Sequence, residues 1–287
     1  MNKLFTMILT MILMLTCICA AAEKTEFAAG EYDPYNVDNP QSRKKHANIV
    51  PIQDGDYWYI ILNDGTAEIV DSIRNPPTSI STHADGSMTV VQISEERLIP
   101  EQLGGIRVTS IGNGAFYRNV ALANITIPNG ITTIGYSAFD SCRNMTSITI
   151  PDSITSIGKR AFYECGSLTS IIIPEGVTAI QDMTFFGCDA LTSVTIPEGV
   201  TTIGKMAFYE CHSLTNITIP KGVTTIGEKA FAHCHSLTSI TIPDSVTSIE
   251  PDAFHDCYSP LFIVMPNSFA EQYAIWNDFP YTHATEN

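Results

Sequence analysis

The residues best suited to chemistry are a cysteine between two histidines, His233-Cys234-His235. Imidazole nitrogens and a thiolate are ligands that Zn²⁺ prefers, and an imidazole close to a thiol can activate it as a nucleophile. The surrounding stretch, AFAHCHSLTSITIP, has close relatives in AFYECGSLTSIIIP and AFYECHSLTNITIP elsewhere in the chain. The histidines and the cysteine must therefore be judged against the repeat that contains them.

That repeat has a period of 23 residues and begins at Val108. Seven units follow one another in phase over residues 108–268, with the consensus VTxIGxxAFxxCxxLTSITIP. The LTSITIP segment alternates apolar and polar residues and ends at a proline, which predicts a short strand with one buried face. Glycine after VTxI permits a sharp turn in five units, and Ala-Phe predicts one helical or 3₁₀ turn with an inward Phe. A single unit cannot bury its apolar face, so we expect the units to stack.

The pattern L-x-x-I-x-I-P-x-x-V-x-x-I-G-x-x-A-F-x-x-C resembles the BspA-like leucine-rich repeats, the Treponema pallidum class of that superfamily. The fold expected from the repeat and from this resemblance is a leucine-rich repeat solenoid of the α/β repeat type. Parallel strands would form one face, short helical or 3₁₀ turns the other, and a β-rich cap would close the N-terminal end.

The first residues predict export. Residues 1–22 contain Lys3, an apolar run to Cys19 and the small residues Ala20, Ala21 and Ala22, which together are typical of a signal peptide. Two alternatives remain open: a retained membrane anchor, and a lipoprotein acylated at Cys17 or Cys19. No later apolar segment is long enough to span a bilayer, so we expect an exported chain, secreted or at the cell surface or in the periplasm.

The remaining segments are predicted to flank the repeats. Residues 23–55 are expected to form a flexible arm, whose basic run at residues 43–46 is interpreted as a solvated charge cluster. Residues 56–107 predict an N-terminal β cap, with a hairpin around Asn63-Asp64-Gly65, a further strand from Met88 and a possible degenerate repeat at RLIPEQLGGIRV. Residues 269–287 would form the C-terminal cap and tail.

One cysteine occupies the same position in six units. This column contains Cys142, Cys165, Cys188, Cys211, Cys234 and Cys257. Stacked rungs lie about 4.8 Å apart, close to the Cα separation of a disulfide, and an exported chain would normally favour disulfides. Equivalent backbone settings argue instead for reduced structural thiols, because pairing would require alternate rungs to leave register. Both alternatives remain open at this stage, with reduced thiols preferred.

The repeat also explains the histidines, which we interpret as surface substitutions at outward positions. His233 and His235 flank an inward cysteine and are expected to point outward, while His212 and His235 share a repeat position on adjacent rungs. These three are weak candidates for a metal site, so we predict no metal and no cofactor. Catalysis by Cys234 is disfavoured because a column of equivalent thiols gives none of them a special pKa. We therefore expect a protein that is not an enzyme.

The predicted working surface is the outward side of the strand array. Alternation places one column at Thr126, Thr149, Ile172, Thr195, Thr218 and Thr241, and the next at Asn124, Ser147, Ser170, Ser193, Asn216 and Ser239. The residue after each proline forms a rim that is mostly acidic, as in Asp152, Glu175, Glu198 and Asp244, with Lys221 as the exception.

Charge and the family resemblance together set the expected partner. A net charge of −15 excludes nucleic acid as a plausible partner. The resemblance implies adhesion, so the first hypothesis is an exported recognition module that binds a protein or a cell-surface partner, as a monomer with no membrane span in the mature chain. The alternatives are a structural or accessory envelope protein with no discrete ligand and, last, an enzyme that uses the Cys and His residues.

Overall fold

The computed structural model describes residues 52–54, 57–61, 67–72, 78–82, 88–92 and 95–284. The predicted signal peptide, the basic run at residues 43–46 and nearly all of the predicted arm lie outside these residues. Among the residues that are described, no helix combines the length and the apolar character needed to cross a bilayer.

All but one of the regular elements in the described chain are short strands. In chain order they are β1 (Ile52–Asp54), β2 (Tyr57–Ile61), β3 (Ala67–Ser72), β4 (Thr78–Thr82), β5 (Met88–Gln92), β6 (Glu95–Leu98), β7 (Gln102–Leu103), β8 (Ile106–Ile111), β9 (Leu122–Thr126), β10 (Thr133–Ile134), β11 (Ser147–Thr149), β12 (Ser156–Ile157), β13 (Ser170–Ile172), β14 (Ala179–Ile180), β15 (Ser193–Thr195), β16 (Thr202–Ile203), β17 (Asn216–Thr218), β18 (Thr225–Ile226), β19 (Ser239–Ile242), β20 (Ser248–Ile249), β21 (Leu261–Val264) and β22 (Tyr281–His283). One helix, α1 (Phe269–Trp276), lies between β21 and β22.

The strands predicted from LTSITIP stack in parallel, which confirms the predicted solenoid. They pair as β6–β9–β11, as β13–β15 and as β17–β19–β21–β22, and we call this set the first ladder. Its register keeps equivalent repeat positions opposite each other, as in Ser147 with Asn124 and Ile172 with Thr195. The ladder already contains β6, one rung before Val108, within the segment predicted as the N-terminal cap.

A second parallel ladder, which the sequence did not predict, is formed by the VTxI segment of each unit. It runs β3–β8–β10–β12 and then β14–β16–β18–β20. Within each unit the first apolar residue and the Ile three residues later are buried, as Ile131 and Ile134 are, with an exposed Thr132 between them. This spacing does not match strict alternation, so a two-residue strand was not evident from the pattern.

The Ala-Phe segment connects the two ladders without forming the predicted helical or 3₁₀ turn. In the second unit the N–H groups of Ala138, Asp140 and Cys142 donate to carbonyls three residues earlier. The alternate N–H groups, as at Phe139, donate instead to the following rung. Positive φ angles of 50° at Ser137 and 60° at Ser141 permit this alternation, which a regular helix would not. The turns therefore form a third hydrogen-bonded ladder between rungs.

A stack of phenylalanine rings fills the interior beside this turn ladder. The rings are Phe116, Phe139, Phe162, Phe185, Phe208, Phe231 and Phe254, all fully or almost fully buried. Neighbouring centroids are 4.9 to 5.5 Å apart, with interplanar angles of 15° or less. Each rung contributes one ring, so the core is continuous along the repeats.

The ends depart from the repeat. At the N-terminal side β2 and β3 pair antiparallel, as the hairpin prediction requires, and β3 pairs with β8. In the last unit Leu261 lies opposite Ser239, which is one residue out of phase with the 23-residue period. The buried Pro260 stands where five of the other units have a leucine and the second has Met145, and Met265 restores the phase before Pro266. The last unit is therefore not in phase with the 23-residue period throughout.

Helix α1 closes the C-terminal end, and its N-terminus is capped by two side chains. Ser268 is the N-cap, and its hydroxyl accepts the N–H of Glu271 at 3.2 Å. The Glu271 carboxylate accepts the Asn267 N–H at 2.6 Å and lies 2.7 Å from Nε2 of His283, in β22. One carboxylate thus joins the helix start to the last strand of the first ladder.

We predict that this link fails in acid. Hydrogen bonds from His283 and from the Asn267 N–H lower the pKa of Glu271 below its ordinary value of 4.5. A lowered folded pKa means that the stabilisation is complete above 4.5 and is lost as the pH falls through the folded pKa. The difference in Tm between wild type and Glu271→Gln should therefore be present at about pH 5 and shrink below about pH 4. Circular dichroism melts would measure it, and a difference that persists at pH 3 would contradict the prediction.

Candidate binding face

The strand face is the outward side of the first ladder, and the predicted columns lie on it. Its exposed members are Thr149, Ile172, Thr195 and Thr218 in one column and Ser147, Ser170, Ser193 and Asn216 in the other. Thr126 and Thr241, with Asn124 and Ser239, are half-buried at the two ends. The structure thus brings all the predicted face residues together; their role in binding stays a prediction.

A third column of threonines, which the sequence reasoning passed over, extends this face. Thr146, Thr169, Thr192, Thr215 and Thr238 are all exposed. Several of their hydroxyls donate to the carbonyl of the preceding rung, as Thr192 Oγ1 does to Thr169 at 3.0 Å and Thr238 Oγ1 to Thr215 at 2.9 Å. The recurrence of Thr at one repeat position was the available signal. These hydrogen bonds connect neighbouring rungs, so we expect the face to be rigid as well as polar.

Ile172 is the apolar exception on the strand face. It is 71% exposed, although it occupies a position where the neighbouring rungs carry Thr149 and Thr195. Its own neighbours along the strand, Ile171 and Ile173, are buried. The exposure follows from alternation, because the pleat directs position 172 outward whatever its side chain.

The acidic rim borders the strand face at the carboxyl ends of its strands. Asp152, Glu175, Glu198 and Asp244 are exposed there, and so is Lys221. Glu198 Oε2 accepts the Lys221 N–H at 3.1 Å. Within the described part of the chain, none of these five side chains forms an ion pair with another side chain.

The cysteine column faces the interior. Five of its members are buried, Cys257 is half-buried, and all six are free thiols in the structure. Each Sγ lies 3.0 to 3.2 Å from a phenylalanine carbonyl of the preceding rung, as Cys188 Sγ does from Phe162 O. Burial raises the pKa of Cys165, Cys188, Cys211 and Cys234, and raises that of Cys257 to about 11. None of these thiols has the lowered pKa that a nucleophile needs.

We predict that native alkylation selects Cys257. It has the most accessible thiol of the column, so iodoacetamide at pH 8 should modify it first, while the five buried thiols react only as the chain unfolds. Intact-mass spectrometry would count the labels, and Cys257→Ala should remove the first of them. Three or fewer reactive thiols in denaturant without reductant would instead support disulfides.

The histidines form an aromatic cluster on the last rungs. His212 and His235 stack with centroids 4.7 Å apart, and His235 also stacks on Tyr258 at 5.1 Å. His233 meets His235 and His255 edge to face. Nδ1 of His212 already lies 2.9 Å from the His233 carbonyl, which directs this ring nitrogen to the backbone.

This cluster does not converge on a point. The described residues contain no group of three or more His, Cys, Asp or Glu side chains that could hold a metal ion. Asp256 Oδ2 lies 3.4 Å from His233 Nδ1 and 3.7 Å from His255 Nε2, while Cys234 is turned into the core. Stacked rings present faces to one another rather than lone pairs to a common ligand. The structure therefore separates the cysteine from the histidines that flank it in sequence.

A series of near-identical rungs, with parallel strands, an asparagine or cysteine turn position and a phenylalanine core, defines a leucine-rich repeat protein, a fold that is typically non-enzymatic. The model of the BspA type leucine rich repeat region matches residues 109–234 and 180–277, which together are more than half of the chain. The chain belongs to that family.

One solved structure shares the fold, and two others show more distant similarities. The Treponema pallidum leucine rich repeat protein TpLRR is 23% identical with a TM-score of 0.63, over 82% of this chain and 99% of that one. A leucine rich cell surface protein from Faecalibacterium prausnitzii is 26% identical with a TM-score of 0.42, over 75% and 76%. The pneumococcal vaccine antigen PcpA is 14% identical with a TM-score of 0.33, over 83% and 98%. Comparison with curated proteins found no match.

Proposed function

We propose that this protein is an exported recognition module that binds a protein or cell-surface partner, in an adhesion-like role, through the strand face. The observation that carries the proposal is the strand face itself: three adjacent columns of mostly exposed hydroxyl side chains on the parallel strands of the first ladder, which pair in three sets. Such a face is rigid before binding, which reduces the entropy lost on association. The sequence of residues 1–22 supports export, and the names of similar proteins, among them a cell surface protein, support a surface location.

Two positive charges placed at the centre of the face should test this proposal. Thr195→Arg with Thr218→Arg should weaken binding to a partner by roughly a hundredfold, because both guanidinium groups would have to be desolvated or displaced in the interface. The matched control is Thr201→Arg with Thr224→Arg. These are exposed threonines on the second ladder, six residues after Thr195 and Thr218 respectively, and each pair of variants adds the same two positive charges.

The measurement is surface plasmon resonance against a panel of fibronectin, fibrinogen and collagen, together with whole-cell adhesion. Loss of binding in the first pair and not in the second would support the strand face. Equal loss in both pairs, or loss only in the control pair, would move the site away from it. Binding by no member of the panel would favour the alternative of an envelope component without a discrete ligand.

A further inference from the structure

The exposed isoleucine and the acidic rim coincide on the same rungs. Ile172 and Glu175 belong to one rung, Asp152 to the rung before and Glu198 to the rung after. All four are exposed. Elsewhere the rim carries Asn129 at the first rung, and Lys221 interrupts it one rung beyond Glu198. The single apolar residue of its column thus lies beside the centre of the longest acidic run.

The dimensions of the ladder place these groups within one footprint. Glu175 follows Ile172 by three residues, at most about 10 Å along the chain. Neighbouring rungs are about 4.8 Å apart, so the three carboxylates form a row of about 10 Å beside the isoleucine. Thr149 and Thr195, on either side of Ile172, present uncharged side chains. The footprint is therefore an apolar centre, a hydroxyl surround and a carboxylate row along one edge.

From this juxtaposition we infer that the strand face takes a basic partner segment, in which an apolar side chain covers Ile172 and Lys or Arg side chains pair with Asp152, Glu175 and Glu198. The inference rests on the proposed function and specifies the chemistry of its partner. Interface anchors are typically apolar groups near the centre of a patch, and charges at its rim mainly accelerate and orient association.

Charge complementarity selects this occupant over a second copy of the chain. The chain has a net charge of −15, so two copies would repel at a face whose rim is already acidic. The rim carboxylates Asp152, Glu175 and Glu198 have no side-chain cation of this chain paired with them among the described residues. They are therefore available to cations of another molecule.

Synthetic peptides of nine residues supply the probe. One alternates Lys and Leu, a second alternates Lys and Ser, and a third alternates Glu and Leu. Fluorescence anisotropy with the mature chain at about 50 mM salt should show a higher affinity for the Lys-Leu peptide than for the other two. Only the Lys-Leu peptide offers apolar and cationic groups together. The signal should fall at about 0.5 M salt, where the rim charges are screened.

Variants locate the binding. Ile172→Thr gives this rung the residue of its neighbours, so the fold should be kept. The variant should lower the affinity for the Lys-Leu peptide roughly tenfold. Val120→Thr changes a 41% exposed apolar residue outside the strand face and should leave the affinity unchanged. Glu175→Gln with Glu198→Gln should weaken binding several-fold at low salt only, whereas Asp244→Asn, three rungs from Ile172, should have little effect.

Three results would overturn the inference. Ile172→Thr could bind the Lys-Leu peptide as tightly as wild type does, or the Lys-Ser and Lys-Leu peptides could bind with equal affinity. The third result is that the Lys-Leu peptide does not bind below about 1 mM. The proposed function fails by a different result, the insensitivity of protein partners to Thr195→Arg with Thr218→Arg. A partner could fail to bind those arginine variants yet bind Ile172→Thr with unchanged affinity. The strand face would then remain the binding site, but the inference of a basic segment with an apolar anchor would be wrong.

Discussion

Replacing Phe185 with alanine is expected to lower the free energy of unfolding by about 3 to 5 kcal/mol. Phe185 is fully buried and stacks on Phe162 at 5.5 Å and on Phe208 at 5.3 Å. Removing its ring leaves a cavity in contact with two neighbouring rungs, and the backbone cannot collapse into it because three hydrogen-bonded ladders hold the rungs apart. Urea unfolding followed by circular dichroism would measure the loss.

The adjacent residue provides the control. Phe186 is half-buried in a second, outer aromatic column, 4.6 Å from Tyr163 and 4.8 Å from Tyr209. Phe186→Ala removes the same atoms one position along the chain and should cost about 1 to 2 kcal/mol, since its ring loses less buried area. Equal losses would show that the inner stack is not the main source of cohesion. Two separate unfolding transitions in Phe185→Ala would indicate that the variant uncouples the two halves of the repeat array.

The repeat made most of the interior predictable. A 23-residue period with alternation in LTSITIP was enough to assign the first ladder, the inward Phe and Cys columns and the outward Thr and Ser columns. Every copy of a unit reports on the same environment, so seven weak patterns combine into a strong one. The same logic correctly separated Cys234 from His233 and His235, because the cysteine follows the repeat and the histidines do not.

A feature that occurs only once in the repeat array was also missed. Asp140 stands where Tyr163 and Tyr209 stand in later units, and it is buried with its Oδ1 accepting the Ser141 hydroxyl at 2.8 Å. Its Oδ2 lies 3.1 Å from Arg160, on the next rung. Burial raises the pKa of Asp140, against the lowering by these partners. The repeat pattern cannot predict an ion pair whose members lie 20 residues apart and occur once.

The turn geometry was also beyond the sequence pattern. Positive φ angles recur at non-glycine residues such as Arg160 and Glu164, where propensity favours glycine or asparagine. The cost of each is offset by the hydrogen bond that the same residue's N–H makes to the next rung, as Glu164 does to Phe186 at 2.7 Å. Neighbouring rungs therefore determine this conformation, and no signal within one unit distinguishes it from a helical turn.

Gly158 shows how closely the rungs of the second ladder approach. A Cβ at this position would lie 2.6 Å from the Gly135 carbonyl carbon, 2.7 Å from the Tyr136 nitrogen and 2.8 Å from the Gly135 oxygen. All three are backbone atoms of the preceding rung, so no side chain can move aside to relieve the contact. Gln181 stands at the equivalent position in a unit whose β14 is not paired with β12, whereas Glu250 stands there in the unit of β20, which is paired with β18.

Gly158→Ala should therefore destabilise the chain by about 2 to 3 kcal/mol, as expected when a methyl group is forced into a packed site. The control is Gly166→Ala in the same unit, where the nearest atom to a Cβ would be an Asp189 carboxylate oxygen at 3.9 Å. That change should be neutral or stabilise by up to about 1 kcal/mol, because alanine reduces the entropy of the unfolded chain without a clash. Urea denaturation of both variants measures the contrast, and hydrogen exchange should place the weakened amides at Gly158 and its partners in β10 and β12. A Gly158→Ala variant as stable as Gly166→Ala would mean that the rungs can separate by several tenths of an ångström at little cost, and the rigidity assigned to the strand face would then be wrong.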